Sequence, residues 1–261
     1  MSQLHWLDTS DLWFPPSCSA LSDPDGLLAV GGDLSPNRLI KAYSLGIFPW
    51  YSEGQPLLWW TPDLRMTLAP QHLHIGRSVR KLLRKQHFQI RINTSFETVM
   101  RQCGTIDRQH QDGSWINEDM IEAYDQLHKM GIAHSIEAWQ HNELVGGLYG
   151  VALGRVFFGE SMFSLVSGAS KATFATLAMQ LKMWQFELID CQIQSDYLAS
   201  FGATEVSRKL FESQLQQAIK SPPAADTPAS CIELDDSDQQ LPILDWSRHW
   251  QMPEYGYDGS I

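Results

Sequence analysis

The sequence lacks the features of a secreted, membrane-spanning or zinc-binding protein. Its four cysteines are scattered over 261 residues without a Cys-x-x-Cys pair, which favours reduced thiols over disulfides or a zinc site. No apolar run approaches about 18 residues, the length that predicts a membrane-spanning helix. The chain begins without the basic and apolar stretches of a signal peptide. We therefore expect a cytoplasmic protein with no membrane segment.

The composition is typical of a globular protein with a large core. Hydrophobic residues make up 43% of the chain, charged residues make up 19%, and there are 10 tryptophans. A chain of this length suits one large domain or two ordinary ones. Fibrous and disordered classes are excluded, because their compositions bury too little apolar surface to fold in this way.

Charge is distributed unevenly along the chain. The formal net charge of −11 argues by itself against nucleic-acid binding. However, residues 221–261 contain eight acids and one base, whereas residues 77–91 contain six bases and no acid. An amphipathic helix over residues 78–86 would turn four of these bases outward: Arg77, Arg80, Lys81 and Arg84. A solvated basic face is the ordinary interpretation, and the lack of acids favours a phosphate-facing surface as the alternative.

Four segments differ in their patterns. We expect an N-terminal domain over residues 1–70, rich in Pro, Gly and Trp, and a helical connecting region over 71–132 that carries the basic helix. Ser35-Pro36 and Asn117 are good helix starts in these two segments. Residues 133–220 form the third segment, and residues 221–261 form an acidic tail. The first half of the tail resembles a linker, and its later tryptophans can dock on the domain.

Residues 133–219 predict the element order β-β-β-α-β-α-β-α, which makes the fold class α+β. The first six elements follow the order of GNAT-type acyltransferases. In those enzymes a glycine-rich loop before the long helix holds the pyrophosphate of coenzyme A. Here that loop, residues 163–171, has one glycine and no basic residue before it, which disfavours coenzyme A as the donor.

Polar residues interrupt the apolar strands of this segment. In a strand over residues 186–193, Asp190 and Gln192 would share one face, and Cys191 would face the core on the other. Glu160 is a carboxylate in the preceding strand, and residues 146–150 contain three glycines that allow a ligand to approach closely. These strands would together form a cleft with two acids and an amide. A purely structural pair of acids is the alternative interpretation.

Metal and nucleophilic chemistry have little support. His134 and Glu137 are close in sequence, but three residues apart on a strand they point to opposite faces. Ser161 lies in Gly-Glu-Ser-Met, which is not the Gly-x-Ser-x-Gly elbow of α/β-hydrolases. We therefore predict neither a metal nor a cofactor.

Nine blocks of residues, in order, are similar to the leucyl/phenylalanyl-tRNA–protein transferases. The blocks are Asp23–Leu34, Tyr43–Trp50, Trp59–Trp60, Ser114–Ile116, Ala133–Glu137, Leu144–Gly150, Phe158–Ser164, Ala169–Lys171 and Leu188–Gln192. The resemblance implies transfer of Leu or Phe, with Met as a third candidate, from aminoacyl-tRNA to the N-terminal Arg or Lys of a protein. This transfer marks the acceptor for the degradation machinery of bacteria. A smaller, family-specific N-terminal α/β domain is implied before the GNAT-like C-terminal domain.

The resemblance also implies roles for the polar residues. Asp190 and Gln192 would hold the reacting α-amine, and whether Asp190 takes a proton or only orients the amine stays open. The acceptor side chain is cationic, and Glu160 is the candidate acid that receives it. Candidates for the apolar pocket of the Leu or Phe side chain are Leu148, Phe157, Met162, Leu177 and Ile189.

The tRNA would use aromatic and basic side chains. Candidates for stacking on its terminal adenosine are Tyr43, Trp50, Trp115 and Tyr124. Candidates for phosphate contacts on the basic helix are Arg77, Arg80, Lys81 and Arg84. Two other functions remain open: a coenzyme A-dependent acyltransferase, which RNase would not affect, and a non-catalytic module that binds RNA or degradation signals.

Overall fold

The computed structural model describes residues 4–105, 116–222, 229–233 and 240–250. In chain order the strands are His5–Leu7 (β1), Leu27–Gly31 (β2), Phe48–Pro49 (β3), Leu58–Trp60 (β4), Leu64–Leu68 (β5), Gln89–Ile92 (β6), Ala133–Gln140 (β7), Glu143–Leu153 (β8), Val156–Ser164 (β9), Leu188–Gln192 (β10), Thr204–Ser207 (β11), Ala229–Glu233 (β12) and Gln240–Leu244 (β13). The α-helices are Pro36–Ser44 (α1), Arg77–Arg84 (α2), Phe96–Thr105 (α3), Glu118–Lys129 (α4), Ala169–Met183 (α5), Asp196–Ala199 (α6), Arg208–Ala218 (α7) and Trp246–His249 (α8).

A seven-stranded sheet, in the order β11-β5-β10-β9-β8-β7-β6, organises the fold. Strands β7, β8 and β9 form an antiparallel meander. The chain then crosses over through α5, and β10 joins β9 in parallel, as such a crossover requires. The element order predicted for residues 133–219 is therefore confirmed, and the chain has the predicted α+β class.

The sheet takes strands from three of the four predicted segments. Strand β5 comes from residues 1–70 and pairs with both β10 and β11. Strand β6 comes from residues 71–132 and pairs with β7. The large sheet therefore extends across residues 70 and 132, because β5 and β6 come from the two segments that precede the third.

A smaller four-stranded sheet, in the order β1-β2-β4-β3, lies in the N-terminal region. Helix α1 begins as predicted, with Pro36 in its first turn and the Ser35 side chain accepting the N–H of Arg38. Asn117 likewise caps α4 by accepting the N–H of Met120. Each cap satisfies a helix N–H that has no partner within the helix.

Apolar layers cover the two faces of the large sheet. On one face Tyr149 and Phe158 pack with the N-terminal region, α3, α4 and α7. On the opposite face Leu148 and Phe157 pack with α2 and α5. Neighbouring residues of β8 and β9 thus enter different layers, because successive strand side chains point to opposite faces.

The C-terminal segment packs on the domain. Strands β12 and β13 pair with each other, and Leu241, Leu244 and Trp246 are buried. The predicted docking is confirmed for residues 241–246, while residues 223–228, 234–239 and 251–261 lie outside the described residues. Among the described helices, none combines the length and the apolar character needed to cross a bilayer.

Candidate active site

A cavity of about 590 Å³ opens where β9, β10, α5 and the N-terminal region meet. All five side chains predicted for the apolar pocket line it: Leu148, Phe157, Met162, Leu177 and Ile189. The three predicted polar residues, Glu160, Asp190 and Gln192, line it as well. The cavity therefore combines an apolar pocket with two acids and one amide, as the sequence pattern predicts.

Glu160 is the centre of a hydrogen-bonded cluster. Gln192 donates its side-chain amide to Glu160 Oε1 at 2.9 Å, and the Tyr124 hydroxyl donates to Oε2 at 3.2 Å. The hydroxyls of Tyr43 and Tyr124 are hydrogen-bonded to each other. Burial raises the pKa of the Glu160 carboxyl to about 7, and the hydroxyls of the two tyrosines oppose part of that shift. Glu160 therefore ionises at a higher pH than an ordinary carboxyl.

Asp190 is held by Arg65 in a two-point ion pair. Arg65 Nε donates to Oδ1 at 2.8 Å and Nη2 donates to Oδ2 at 2.6 Å. Both side chains are buried, with 1% of the Arg65 side chain and none of the Asp190 side chain exposed. The guanidinium lies over the rings of Phe48 and Phe211, at 4.8 and 4.5 Å from the ring centroids. This arrangement gives the Asp190 carboxylate a buried counter-ion and holds its side chain in one orientation.

Sequence reasoning did not find Arg65. A signal was present, because Arg65 interrupts the apolar strand Leu64–Leu68 just as Asp190 interrupts its own strand. A charge in a central strand requires a partner. The two strands are neighbours in the sheet, but their residues are too far apart in sequence for local patterns to pair them.

The predicted alternation of side chains ends at a bulge in β10. The pairing of β10 with β5 shifts between Asp190 and Gln192, and Gln192 has a positive φ of 62°. The N–H of Gln192 donates to Asp190 Oδ1 at 2.9 Å. Asp190 thus holds the Gln192 backbone directly, while Glu160 holds its side chain.

Cys191 differs from its predicted position. It packs partly against the core, as expected, but it also lines the cavity beside Asp190 and Gln192. The bulge explains the difference, because it lets consecutive residues face the same space. Burial raises the pKa of the Cys191 thiol well above its ordinary value, and the Asp190 charge adds to this shift. The thiol is therefore neutral and a poor nucleophile.

Comparisons with known proteins identify the family. A family model described as "Leucyl/phenylalanyl-tRNA protein transferase" matches residues 67–216, and the model of its N-terminal domain matches residues 32–63. The chain is 57% identical to the leucyl/phenylalanyl-tRNA–protein transferase of Teredinibacter turnerae, over 97% of this chain and 99% of that protein. The chain belongs to the leucyl/phenylalanyl-tRNA–protein transferase family. Membership confirms the resemblance and the predicted enzyme class, an aminoacyltransferase.

Other relatives and solved structures extend the comparison. The leucyl/phenylalanyl-tRNA–protein transferase of Saccharophagus degradans is 56% identical, over 98% of this chain and 99% of that protein. Among solved structures, FemX superposes with a TM-score of 0.45 at 11% identity, covering 65% of this chain and 66% of that one. The L-PGS of Bacillus licheniformis superposes with a TM-score of 0.37 at 10% identity, covering 66% and 57%.

Two of the four aromatic residues predicted to stack on adenosine lie in the interior of this transferase. Tyr43 and Tyr124 are 1% and 0% exposed, and their rings pack against Phe158 and Tyr149. Rings enclosed in this way have no free face for a base, which argues against stacking. Burial raises the pKa of both phenols well above the ordinary value, so both stay protonated as donors to the Glu160 cluster.

Trp50 is placed differently from the tyrosines. It is half-buried, lines the cavity, and packs against Trp60 with ring centroids 5.5 Å apart. Trp60 donates its indole N–H to the Trp50 carbonyl at 2.6 Å, which fixes the backbone of this segment. Trp115, the fourth predicted stacking residue, lies outside the described residues.

The predicted basic helix is α2. Its Arg77, Arg80, Lys81 and Arg84 are exposed, whereas Val79 and Leu83 are buried. Arg80 also donates its Nε to the Ile75 carbonyl at 2.7 Å, which ties that side chain to the protein. Within the described ranges none of the four bases forms an ion pair.

Helix α2 lies beside the start of α5. A Cβ built on Gly168, the residue before α5, would lie 2.8 Å from the Leu82 side chain. Ser170, in the first turn of α5, lines the cavity. Helix α2 therefore packs beside the end of α5 that lines the cavity.

No cluster of metal-ligating side chains occurs within the residues that the structure describes. His134 and Glu137 take part in different layers, as their spacing predicts. His134 stacks on Trp246, whereas Glu137 accepts hydrogen bonds from the segment that begins α3.

Proposed function

We propose that this transferase moves Leu or Phe, with Met as a third candidate, from aminoacyl-tRNA to the N-terminal Arg or Lys of an acceptor protein. The observation that carries the proposal is the cavity itself, where five apolar side chains meet the Glu160–Gln192 pair. The product would carry a new N-terminal residue that the degradation machinery can recognise. Charged tRNA is a cytoplasmic substrate, and we place the enzyme there. The element order of residues 133–219 supports a GNAT-type catalytic domain.

The reaction needs orientation more than activation. The aminoacyl ester is already reactive, and an α-amine with a pKa of about 7.7–8.0 is partly neutral near pH 7. The amine nitrogen attacks the ester carbonyl carbon, the ester C–O bond breaks, and the ribose hydroxyl leaves with a proton from the amine. The protein has to hold the two reactants in line and stabilise the developing charge.

Asp190 acts in this proposal as an anchor rather than as a general base. Both of its oxygens already accept hydrogen bonds from Arg65, and Oδ1 also accepts the N–H of Gln192. Its part is to fix the bulge that presents Gln192 to the amine. Gln192 would contact the amine directly through its side-chain amide.

Glu160 receives the positive charge of the acceptor. A cation that enters the cavity favours the ionised carboxylate, and with a pKa of about 7 little free energy is needed to remove the proton. The protonated hydroxyls of Tyr43 and Tyr124 would keep the carboxylate oriented while its partners change.

The donor occupies the rest of the site. Leu148, Phe157, Met162, Leu177 and Ile189 would hold its apolar side chain, and Met162 can adapt to either shape. Trp50 at the cavity and Trp115 would stack on the terminal adenosine. Arg77, Lys81 and Arg84 on α2, with Arg80 in a partly structural role, would contact phosphates of the acceptor stem.

The experiment is transfer of labelled Leu from charged tRNA to a peptide that begins with Arg, compared with a peptide that begins with Ala. Product from the Arg peptide only, abolished by RNase and unaffected by coenzyme A, is the expected result. Absence of product from the Arg peptide would overturn the proposal. If the enzyme transferred an acyl group from a coenzyme A thioester, and RNase did not stop this transfer, the result would favour the alternative acyltransferase. The family assignment does not favour that alternative.

A further inference from the structure

The C-terminal segment, residues 241–250, lies against the back of the aminoacyl pocket. It is outside both regions that the family models match. The N–H of Gly154, in the turn between β8 and β9, donates to the Pro242 carbonyl at 3.0 Å. Leu244 and Trp246 pack in the same layer as Phe157 and α5. The segment is thus part of the layer that forms the pocket.

Trp246 is the residue through which the segment contacts that layer most closely. It is 1% exposed and stacks on His134 with ring centroids 4.0 Å apart and an interplanar angle of 7°. The edge of Trp184 packs on it at 5.1 Å. Its ring centroid lies 5.7 Å from that of Phe157. A large, rigid ring held on several sides cannot shift without displacing its neighbours.

Phe157 connects Trp246 to the cavity. It lines the cavity with Leu148 and Ile189, and it is itself 1% exposed. A Cβ built on Gly150 would lie 2.5 Å from Phe157 Cζ, so the ring occupies space that only a glycine leaves free. Phe157 is therefore packed against the β8 backbone and against Trp246, with the cavity as the remaining open space.

We propose that Trp246 sets the depth of the aminoacyl pocket by fixing the position of Phe157. Trp246 is a positioning residue, and through it the C-terminal segment tunes the choice between Leu and Phe as the transferred group. This inference rests on the proposed function, because it assigns the selectivity of that same pocket. A smaller residue at position 246 lets the Phe157 ring retreat, which deepens the pocket and favours the longer aromatic side chain.

The test compares kcat/KM for Leu-tRNA and Phe-tRNA in the wild-type enzyme and in Trp246→Ala, Trp246→Leu and Trp246→Phe. We expect the Phe-to-Leu ratio to rise about tenfold in Trp246→Ala, mainly through KM, and by less in Trp246→Leu. Trp246→Phe should restore most of the wild-type ratio. Trp250→Ala is the matched control. Trp250 lies in the same segment and stacks on Trp246, but it has no described ring contact with Phe157. The Phe-to-Leu ratio should therefore stay unchanged in this variant.

The double variant Phe157→Ala/Trp246→Ala separates positioning from general destabilisation. If Trp246 acts through Phe157, then adding Trp246→Ala to Phe157→Ala leaves the ratio where Phe157→Ala alone puts it. An unchanged ratio in both Trp246→Leu and Trp246→Ala, with Leu transfer retained, would overturn the inference. A wild-type enzyme that transfers neither residue would instead overturn the proposed function.

Discussion

Two carboxylates on the same sheet have different surroundings, because one is fully enclosed and the other is half-buried at a cavity. Glu137 on β7 is fully buried and accepts hydrogen bonds from the N–H groups of Thr94 and Ser95 at 2.8 Å, and from the Ser135 hydroxyl at 2.9 Å. The Trp139 indole N–H, at 3.0 Å, and the Thr94 hydroxyl also donate to the Glu137 carboxylate. Glu160 on β9 accepts hydrogen bonds from the Tyr124 hydroxyl and the Gln192 amide and faces a cavity.

On this difference we propose Glu137 as a structural acid and Glu160 as a functional one. Glu137 is fully buried, whereas Glu160 is only half-buried. Donors around Glu137 satisfy its charge completely and leave no room for a ligand. Asp190 is intermediate, because it lines the cavity but is fully occupied by Arg65 and Gln192. We propose Glu160 as the acid that exchanges a partner for an incoming cation.

The largest expected effect comes from separating Asp190 from Arg65. Arg65→Met leaves a buried carboxylate without its counter-ion, and we expect a loss of about 3–5 kcal/mol in the free energy of unfolding. Urea denaturation measures this loss. The double variant Arg65→Met/Asp190→Leu should recover most of the stability but not the transfer activity, because Gln192 has lost its anchor. If Arg65→Met were as stable as the wild type, the proposal that Asp190 is an ion-paired anchor would be contradicted.

Glu137→Gln tests the structural carboxylate. Its amide would place an N–H group against one of the existing donors, and we expect a loss of about 2 kcal/mol in the free energy of unfolding. Transfer per folded molecule should stay unchanged, since Glu137 does not line the cavity. A clear drop in kcat/KM at temperatures where the variant is fully folded would show that the comparison between Glu137 and Glu160 is wrong.

Glu160→Gln tests the functional carboxylate and is the counterpart of Glu137→Gln. We expect KM for a peptide that begins with Arg to rise about tenfold, equal to about 1.4 kcal/mol, because the acceptor loses its anionic partner. In the wild type, this KM should fall as the pH rises through about 7, where the carboxyl ionises. In Glu160→Gln this decrease of KM with pH should be absent. The acceptor amine titrates in the same way with both enzymes, so it does not cause a difference between their pH profiles. Parallel pH profiles would exclude Glu160 as the acceptor-binding acid.

The same pKa should be visible in stability. The folded-state pKa of Glu160 is raised from 4.5 to about 7, so the folded protein binds this proton more tightly than the unfolded chain. Its contribution to the free energy of unfolding therefore decreases as the pH rises from about 4.5 to about 7. Glu160→Gln should flatten this decrease in urea denaturation curves, and Glu137→Gln should not.

The smallest expected effect concerns the basic helix α2. Arg84→Ala should weaken binding of charged tRNA only modestly and reduce the slope of log affinity against log salt by about one, the loss of one phosphate contact. Lys129→Ala, which removes an exposed base outside α2, is the matched control. An identical slope for Arg84→Ala and the wild type would remove this part of α2 from the RNA-binding surface.

Local patterns predicted much of the large sheet, and the family resemblance predicted the residues of the pocket. Strands β7 to β10 and helices α5 and α7 were evident because alternation and helix caps are local signals. Residues such as Leu148 and Ile189 were found because a resemblance to a known family supplied the arrangement of the strands. The roles of the polar residues in catalysis stay predictions.

The features that sequence reasoning missed all depend on distant parts of the chain. The ion pair of Arg65 can be predicted only if β5 is known to lie beside β10. The position of Cys191 at the cavity likewise depends on the bulge between Asp190 and Gln192. The interior position of Tyr43 and Tyr124 depends on α1 and α4 packing beside each other. A sequence pattern shows that a ring is large and apolar, but only the packing shows whether its face is free.

The position of Arg65 has a consequence for dividing this protein into parts. Arg65 lies in β5, between the two regions that the family models match, and the rings that enclose it come from β3 and α7. A fragment that ends at residue 64 would lack Arg65 and Asp190, and one that begins at Arg65 would lack the Phe48 ring that covers the guanidinium. The protein is therefore suited to fragment complementation: two inactive pieces, mixed in solution, would regain activity only by rebuilding the enclosure around Arg65.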